Sequence, residues 1–268
     1  MKVLEFYPLS ELASFISKVV YLDNSLGDFG FQAIPRKYPA VIFTVSEAGF
    51  WEIGIDGRKY KLGNTNVYFT GLGFVPSEMY FKGAFKAWVL MLKPQASSMI
   101  FGDAAKSFVN ELYCVTDTHP QLRFLSEQLQ ESSFEPEKAV MLIESFFIRF
   151  LDSQRIKPNI LLALHEIHHS NGNLNVKELA YISNTCTRNL LRQFDDYVGV
   201  NPKTYSAMIR FSGFMNQVMC IAPTNMEKLA FDFGYYDLSH LNKDALRFLG
   251  MPVYEMKHQK ETLNHHMV

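Results

Sequence analysis

The chain has 268 residues, of which 48% are apolar, with 23 Phe, 13 Tyr and a formal net charge of -1. It is long enough for two domains with separate cores, and too rich in large apolar residues for a disordered tail. No run approaches eighteen apolar residues, and Met1 to Leu12 lack an apolar signal core, so a soluble cytoplasmic protein without membrane contact is expected. Cys114, Cys186 and Cys220 are odd in number and far apart, which reads as reduced thiols. Residues 1–154 carry 14 Lys/Arg against 17 Asp/Glu, whereas residues 155–268 carry 12 against 10 and seven of the eight histidines. That asymmetry marks a boundary near 155.

Short strands come first. Val41 to Val45, Phe50 to Ile55, Val67 to Thr70 and Trp88 to Leu92 are β-branched and aromatic, and glycine or proline separates them. Asp56-Gly57 carries a two-residue hairpin signal. A β-barrel over residues 1–118 is expected. The period then lengthens: Leu122, Leu125 and Leu129, then Val140, Ile143, Phe146, Phe147 and Phe150, recur at three- and four-residue steps, so two helices should fill 119–151. Their apolar stripes can pack on the barrel or form a dimer interface. Residues 152–158 read as a linker, and 259–268 as a tail.

From Asn159 onward the pattern is helical and repeats. Leu179-Ala180 followed by Asn184 is matched fifty residues later by Leu229-Ala230 followed by Gly234, and Pro202 by Pro252. Asn and Gly adopt the left-handed backbone that a tight interhelical turn needs, so each copy reads as helix, turn, helix, over about 174–202 and 224–252. On the second helix of the first copy, Leu190 and Phe194 face inward. Thr187, Arg188, Leu191 and Arg192 then stand outward, where an arginine can bond a guanine edge in a major groove. The bland alternative is a solvated face whose arginines pair with Asp195 or Asp196.

Leu179-Ala180, Asn184, Leu190, Arg192, Phe194, Gly199, Pro202 and Tyr205, with Leu229-Ala230, Gly234-Tyr235, Ser239-His240-Leu241, Lys243, Gly250 and Pro252, resemble the AraC/XylS family of bacterial transcription regulators. The resemblance covers about 159–258. It implies an α+β multidomain protein: an N-terminal cupin-like β-barrel with two packed helices (1–151), and a C-terminal all-α module with two helix-turn-helix units joined by a linker helix, Pro202 to Met219. It also implies double-stranded DNA as partner, with RNA polymerase, a homodimer and a small-molecule effector as further candidates. By position, Thr187, Arg188, Leu191 and Arg192 would reach bases in the first unit, and Leu238, Ser239, Asn242 and Lys243 in the second, while Asn189 would hold phosphate. Ala245-Leu246 stands where the family has Phe-Lys, and the Gly250–Pro252 interval is one residue shorter than Gly199–Pro202. The second core should therefore pack differently, and the first unit should carry most of the sequence preference.

His165-Glu166-Ile167-His168-His169 matches the zinc-hydrolase pattern, with Glu166 as base and His165 and His169 as ligands. The position of a third ligand is Asn175, however, and Asn171-Gly172 reads as a helix end, so the remote alternative of a metallohydrolase gives way to incidental pairing. Residues 1–118 hold no histidine, which argues against a metal-dependent enzyme there; no cofactor, metal site or catalytic residue is expected. Trp51, Tyr68, Phe69 and Trp88 are candidates to line an effector pocket, against the alternatives of plain core and of a region that only dimerises or binds a protein partner.

Overall fold

A computed structural model describes residues 1–25, 27–33, 35–45, 49–63, 65–101, 105–132, 135–151, 157–220 and 225–256. The 152–156 stretch of the expected linker, residues 221–224 and the 259–268 tail lie outside them. Ten strands come first in chain order: β1 Lys2–Phe6, β2 Ile16–Asn24, β3 Phe29–Ala33, β4 Ala40–Thr44, β5 Phe50–Ile55, β6 Arg58–Gly63, β7 Val67–Thr70, β8 Ser77–Lys82, β9 Phe85–Leu92 and β10 Leu112–Cys114. They form a six-stranded sheet, β1-β2-β9-β4-β7-β10, and a four-stranded sheet, β3-β8-β5-β6, all antiparallel. The barrel expectation thus takes the form of two facing sheets, with no ladder between them among the described residues.

The centre of the larger sheet is buried on both faces, which is why Ala40 to Phe43 of β4 and Ala87 to Leu92 of β9 read as unbroken apolar runs. One face, with Val20, Leu22, Ile42 and Val89, packs on Phe31, Trp51, Ile53 and Phe81 of the smaller sheet. Its other face, with Val41, Phe43, Phe69, Trp88 and Leu90, is covered by α2 (Pro120–Glu131) and α3 (Pro136–Leu151) through Leu122, Leu125, Leu129, Ile143 and Phe147. The smaller sheet has a wet outer face, so β5 and β8 alternate in burial. Asp56 and Gly57 both have positive φ, as the tight β5–β6 hairpin requires. A short helix, α1 (Ala96–Phe101), and a 3₁₀ turn at Ala105–Phe108 follow β9.

The helical region comprises α4 (Pro158–His169), α5 (Val176–Ile182), α6 (Thr187–Tyr197), α7 (Pro202–Cys220), α8 (Met226–Asp232), α9 (Leu238–Leu249) and α10 (Val253–Met256). Pro158, read as the end of a linker, is instead the first residue of α4, where its missing N–H costs nothing. Asn184 (φ 51°) and Gly234 (φ 80°) occupy the two left-handed turn positions. The α7 helix runs one residue past expectation, spans about 28 Å at 1.5 Å per residue, and buries Tyr205, Met208, Ile209 and Met215. In the second unit Ala245 is buried and Leu246 is 53% exposed; Phe248 fills the core instead, with its ring 5.2 Å from that of Phe211. Among the described residues no helix is long and apolar enough to cross a membrane.

The β-rich and helical regions meet over apolar surface. Leu72 belongs to the helical core cluster, and Phe74 and Val109 pack against it. A Cβ at Gly199, just after α6, would lie 2.7 Å from the Ala105 carbonyl carbon, so only glycine allows this approach. The Arg247 guanidinium covers the Phe74 ring at 5.2 Å.

Candidate nucleic-acid interface

The supporting helix of the first unit is held by a capping box: Asn175 accepts from the Lys177 and Glu178 amides, and Glu178 accepts from the Asn175 amide. In the second unit Asn225 caps α8, and Asp237 caps α9 by accepting from the His240 amide at 2.7 Å. Asn175 and Asn225 thus fix the start of each first helix and Asp237 that of α9, whereas Cys186 opens α6 without a side-chain cap.

On α6, Leu190, Gln193 and Phe194 are buried; Arg188, Leu191 and Arg192 are exposed, and Thr187 and Asn189 half-buried. A hydrogen-bond chain runs along the outer face. Asn189 donates to Thr185 Oγ1 and accepts from Arg192 Nη2, each at 2.8 Å. Among the described residues neither arginine forms an ion pair, so the pairing with Asp195 or Asp196 is not made. On α9, Ser239 and Lys243 are exposed and Leu238 half-buried. Asn242 is engaged elsewhere: its Oδ1 accepts from the Val253 amide at 3.0 Å, anchoring α10.

His165 and His169 stack one turn apart, centroids 6.1 Å apart, as i,i+4 residues must. Among the described residues no group of three or more His, Cys, Asp or Glu side chains is placed to hold a metal ion. His168, between them in sequence, lies between the two regions: its Nε2 lies 2.9 Å from the Tyr205 hydroxyl of α7, and its ring stacks on Tyr38 of the β-rich region. Burial, with Lys93, Lys37 and His165 nearby, pushes its imidazole down to about 4. A histidine kept neutral in the fold and near 6.5 when unfolded lets the unfolded chain bind the extra proton between those values. Its contribution is therefore complete above about pH 6.5 and is lost as pH falls toward 4, by up to about 3 kcal/mol. Urea midpoints should fall more steeply between pH 7 and 4.5 for the wild type than for His168→Gln; parallel profiles would remove His168 as the cause.

Of the effector candidates, Trp51 lines a narrow cavity between the sheets, with Arg36, Tyr38, Ile42, Met79 and Met91. Phe69 and Trp88 lie on the opposite face of the larger sheet, and the Tyr68 hydroxyl donates to the Gly63 carbonyl. The cavity holds about 30 Å³ of free space. Arg36, invisible as a site residue in the sequence, is half-buried there; its Nε and Nη2 atoms are buried and find no acceptor among the described residues, and burial lowers it to about 10. Lys37 beside it is lowered to about 8 by burial and by Lys18 and Lys93.

Solved structures with a similar fold include ToxT from Vibrio cholerae, 10% identical with a TM-score of 0.48 over 97% of this chain and 99% of that one. They also include the unsaturated fatty acid-bound wild-type ToxT from Vibrio cholerae strain SCE256, 12% identical with a TM-score of 0.46 over 92% and 97%. The AraC-like transcriptional activator CuxR is 14% identical, with a TM-score of 0.32 over 72% and 80%. No family model matches the chain, and no curated protein matches it.

Proposed function

We propose that the chain is a sequence-specific DNA-binding transcription regulator, with residues 159–258 as its DNA-binding domain and residues 1–151 as a sensor and dimerisation domain. The observation that carries the reading is the outer face of α6: two exposed arginines one turn apart, without acidic partners among the described residues, above a fully buried Leu190 and Phe194. Such a face presents bidentate donors to a major groove, and the start of α6, where Cys186 makes no side-chain cap, leaves backbone amides for phosphates. Thr187, Arg188, Leu191 and Arg192 read bases, and Leu238, Ser239 and Lys243 form the second contact. Asn242 has its amide nitrogen left for a base or phosphate, and Asn189 holds Arg192 in place beside its own backbone contact. Selection of duplexes from a random pool by the full-length protein, with salt dependence recorded, tests this. A selected motif whose affinity falls with salt supports it; recovery of no sequence preference contradicts it.

Within the proposal, the first domain senses a small molecule carrying an acidic group, and the Arg36 guanidinium, whose Nε and Nη2 have no acceptor among the described residues, is its anchor. The free space admits a group of about two or three heavy atoms, the size of a carboxylate. A buried cation without a counter-charge is costly. Arg36→Met should therefore raise the melting point of the ligand-free protein and abolish any rise that small monocarboxylates give the wild type. An Arg36→Met protein that melts lower, or that still responds to the acids, would contradict the assignment.

A second reading, that the first domain serves only in self-association, is favoured by the groove between α2 and α3, where Phe124 is 59% exposed beside Leu142 and Phe146. Cytoplasmic location, and RNA polymerase as the downstream partner, follow from the regulator reading.

A further inference from the structure

The two units tie their second helices in different ways toward the helix that comes before the unit, α4 in the first and α7 in the second. The N-caps Cys186 and Asp237 set a common frame for α6 and α9. Seven residues beyond each cap stand Gln193 and Asp244. Gln193 is buried, and its Oε1 accepts from Asn159 Nδ2 of α4 at 2.7 Å, a neutral tie. Asp244 occupies the same position in the second unit, and there the tie is charged. Its Oδ2 accepts from the buried Tyr235 hydroxyl at 3.2 Å. The Arg210 guanidinium, midway along α7, lies over the same Tyr235 ring, 5.1 Å from the centroid. His240 of α9 meets that ring edge-on at 5.1 Å. One aromatic ring thus touches the linker helix, the turn and the second recognition helix.

The charges balance only as a set. Burial raises the Asp244 carboxyl, and Arg210, the Tyr235 hydrogen bond, His240 and Arg247 act against that rise. Arg210 Nε has no acceptor among the described residues, and the guanidinium is held at Tyr235 by its contact with the ring and a side-chain hydrogen bond to the hydroxyl. Separating partly buried charges of this kind is costly, because it leaves a partner buried without its compensation.

We propose that Arg210, Tyr235 and Asp244 form a joint that sets the angle of α9 on α7, and so fixes the separation at which the second unit meets DNA. The consequence for spacing rests on the DNA-binding reading above; the joint itself does not. Amide exchange of the DNA-free full-length protein tests the joint. Arg210→Met should accelerate exchange across α9 at least about tenfold by removing the largest positive influence on Asp244, and adding Asp244→Asn should bring it back to within about threefold of wild type, with α6 unaffected. Tyr235→Phe, which keeps the ring, should accelerate α9 by about threefold to tenfold. A double variant that exchanges as fast as Arg210→Met, or acceleration shared equally by α6, would overturn the joint. On a selected duplex, two base pairs inserted between half-sites should weaken wild type about tenfold and Arg210→Met threefold or less. Wild-type spacing preference in Arg210→Met would overturn its role in spacing, and failure to select any duplex would bear on the DNA reading alone.

Discussion

Arg192→Ala should lower affinity for a selected duplex by about 1 to 3 kcal/mol, with the loss concentrated at one base pair. The size of the effect comes from how the side chain is held. Asn189, itself fixed on Thr185, accepts from one Arg192 nitrogen, so part of the ordering cost of the guanidinium is met before DNA arrives while its other donors remain open. Arg188 has no such support among the described residues and is exposed; Arg188→Ala should cost less when both are measured on the same duplex. Electrophoretic mobility shift with a base-substituted series distinguishes the cases. Equal, small losses on every sequence would reduce Arg192 to a phosphate contact, and unchanged binding would remove it from the interface.

Gly172→Ala should destabilise the helical region by about 3 kcal/mol or more. Gly172 lies beyond the end of α4 with φ 74°, and a Cβ there would collide with the Ser206 carbonyl oxygen, a backbone atom of α7 that cannot swing aside. Gly57 provides the contrast. Its φ is 77° but its Cβ position is open, so Gly57→Ala should cost only the left-handed penalty, about 1 kcal/mol. Urea unfolding of the two variants measures the difference; similar losses would mean that the α4–α7 approach yields more readily than the backbone packing indicates.

The helical repeat was legible because its signals are local. Asn184 and Gly234 are read from the turn chemistry of single residues, and the buried stripe of α7 from its period. Strands with unbroken apolar runs, such as β4, and the Asp56-Gly57 hairpin were equally plain. By contrast β8 alternates Ser77, Met79 and Phe81 with Glu78, Tyr80 and Lys82, and β2 carries Ser17 and Lys18 near its start; neither stands out without its neighbours. The Arg36 environment was invisible, since a loop arginine shows nothing of the cavity that two sheets close around it. The Asp244 joint was hidden for the same reason: its partners lie 9 and 34 residues away, on the turn and on another helix. Residues such as Asn242 show the converse, where a position read from family resemblance has a second occupation that only the packing of α10 reveals.

Hydroxyl-radical footprinting of the full-length protein on a duplex it has itself selected tests the central claim most directly. Two protected patches about one helical turn apart on the same face, the first weakened by Arg192→Ala and the second by Lys243→Ala, are the expected result. A single patch, or two that lie on opposite faces of the duplex, would contradict it.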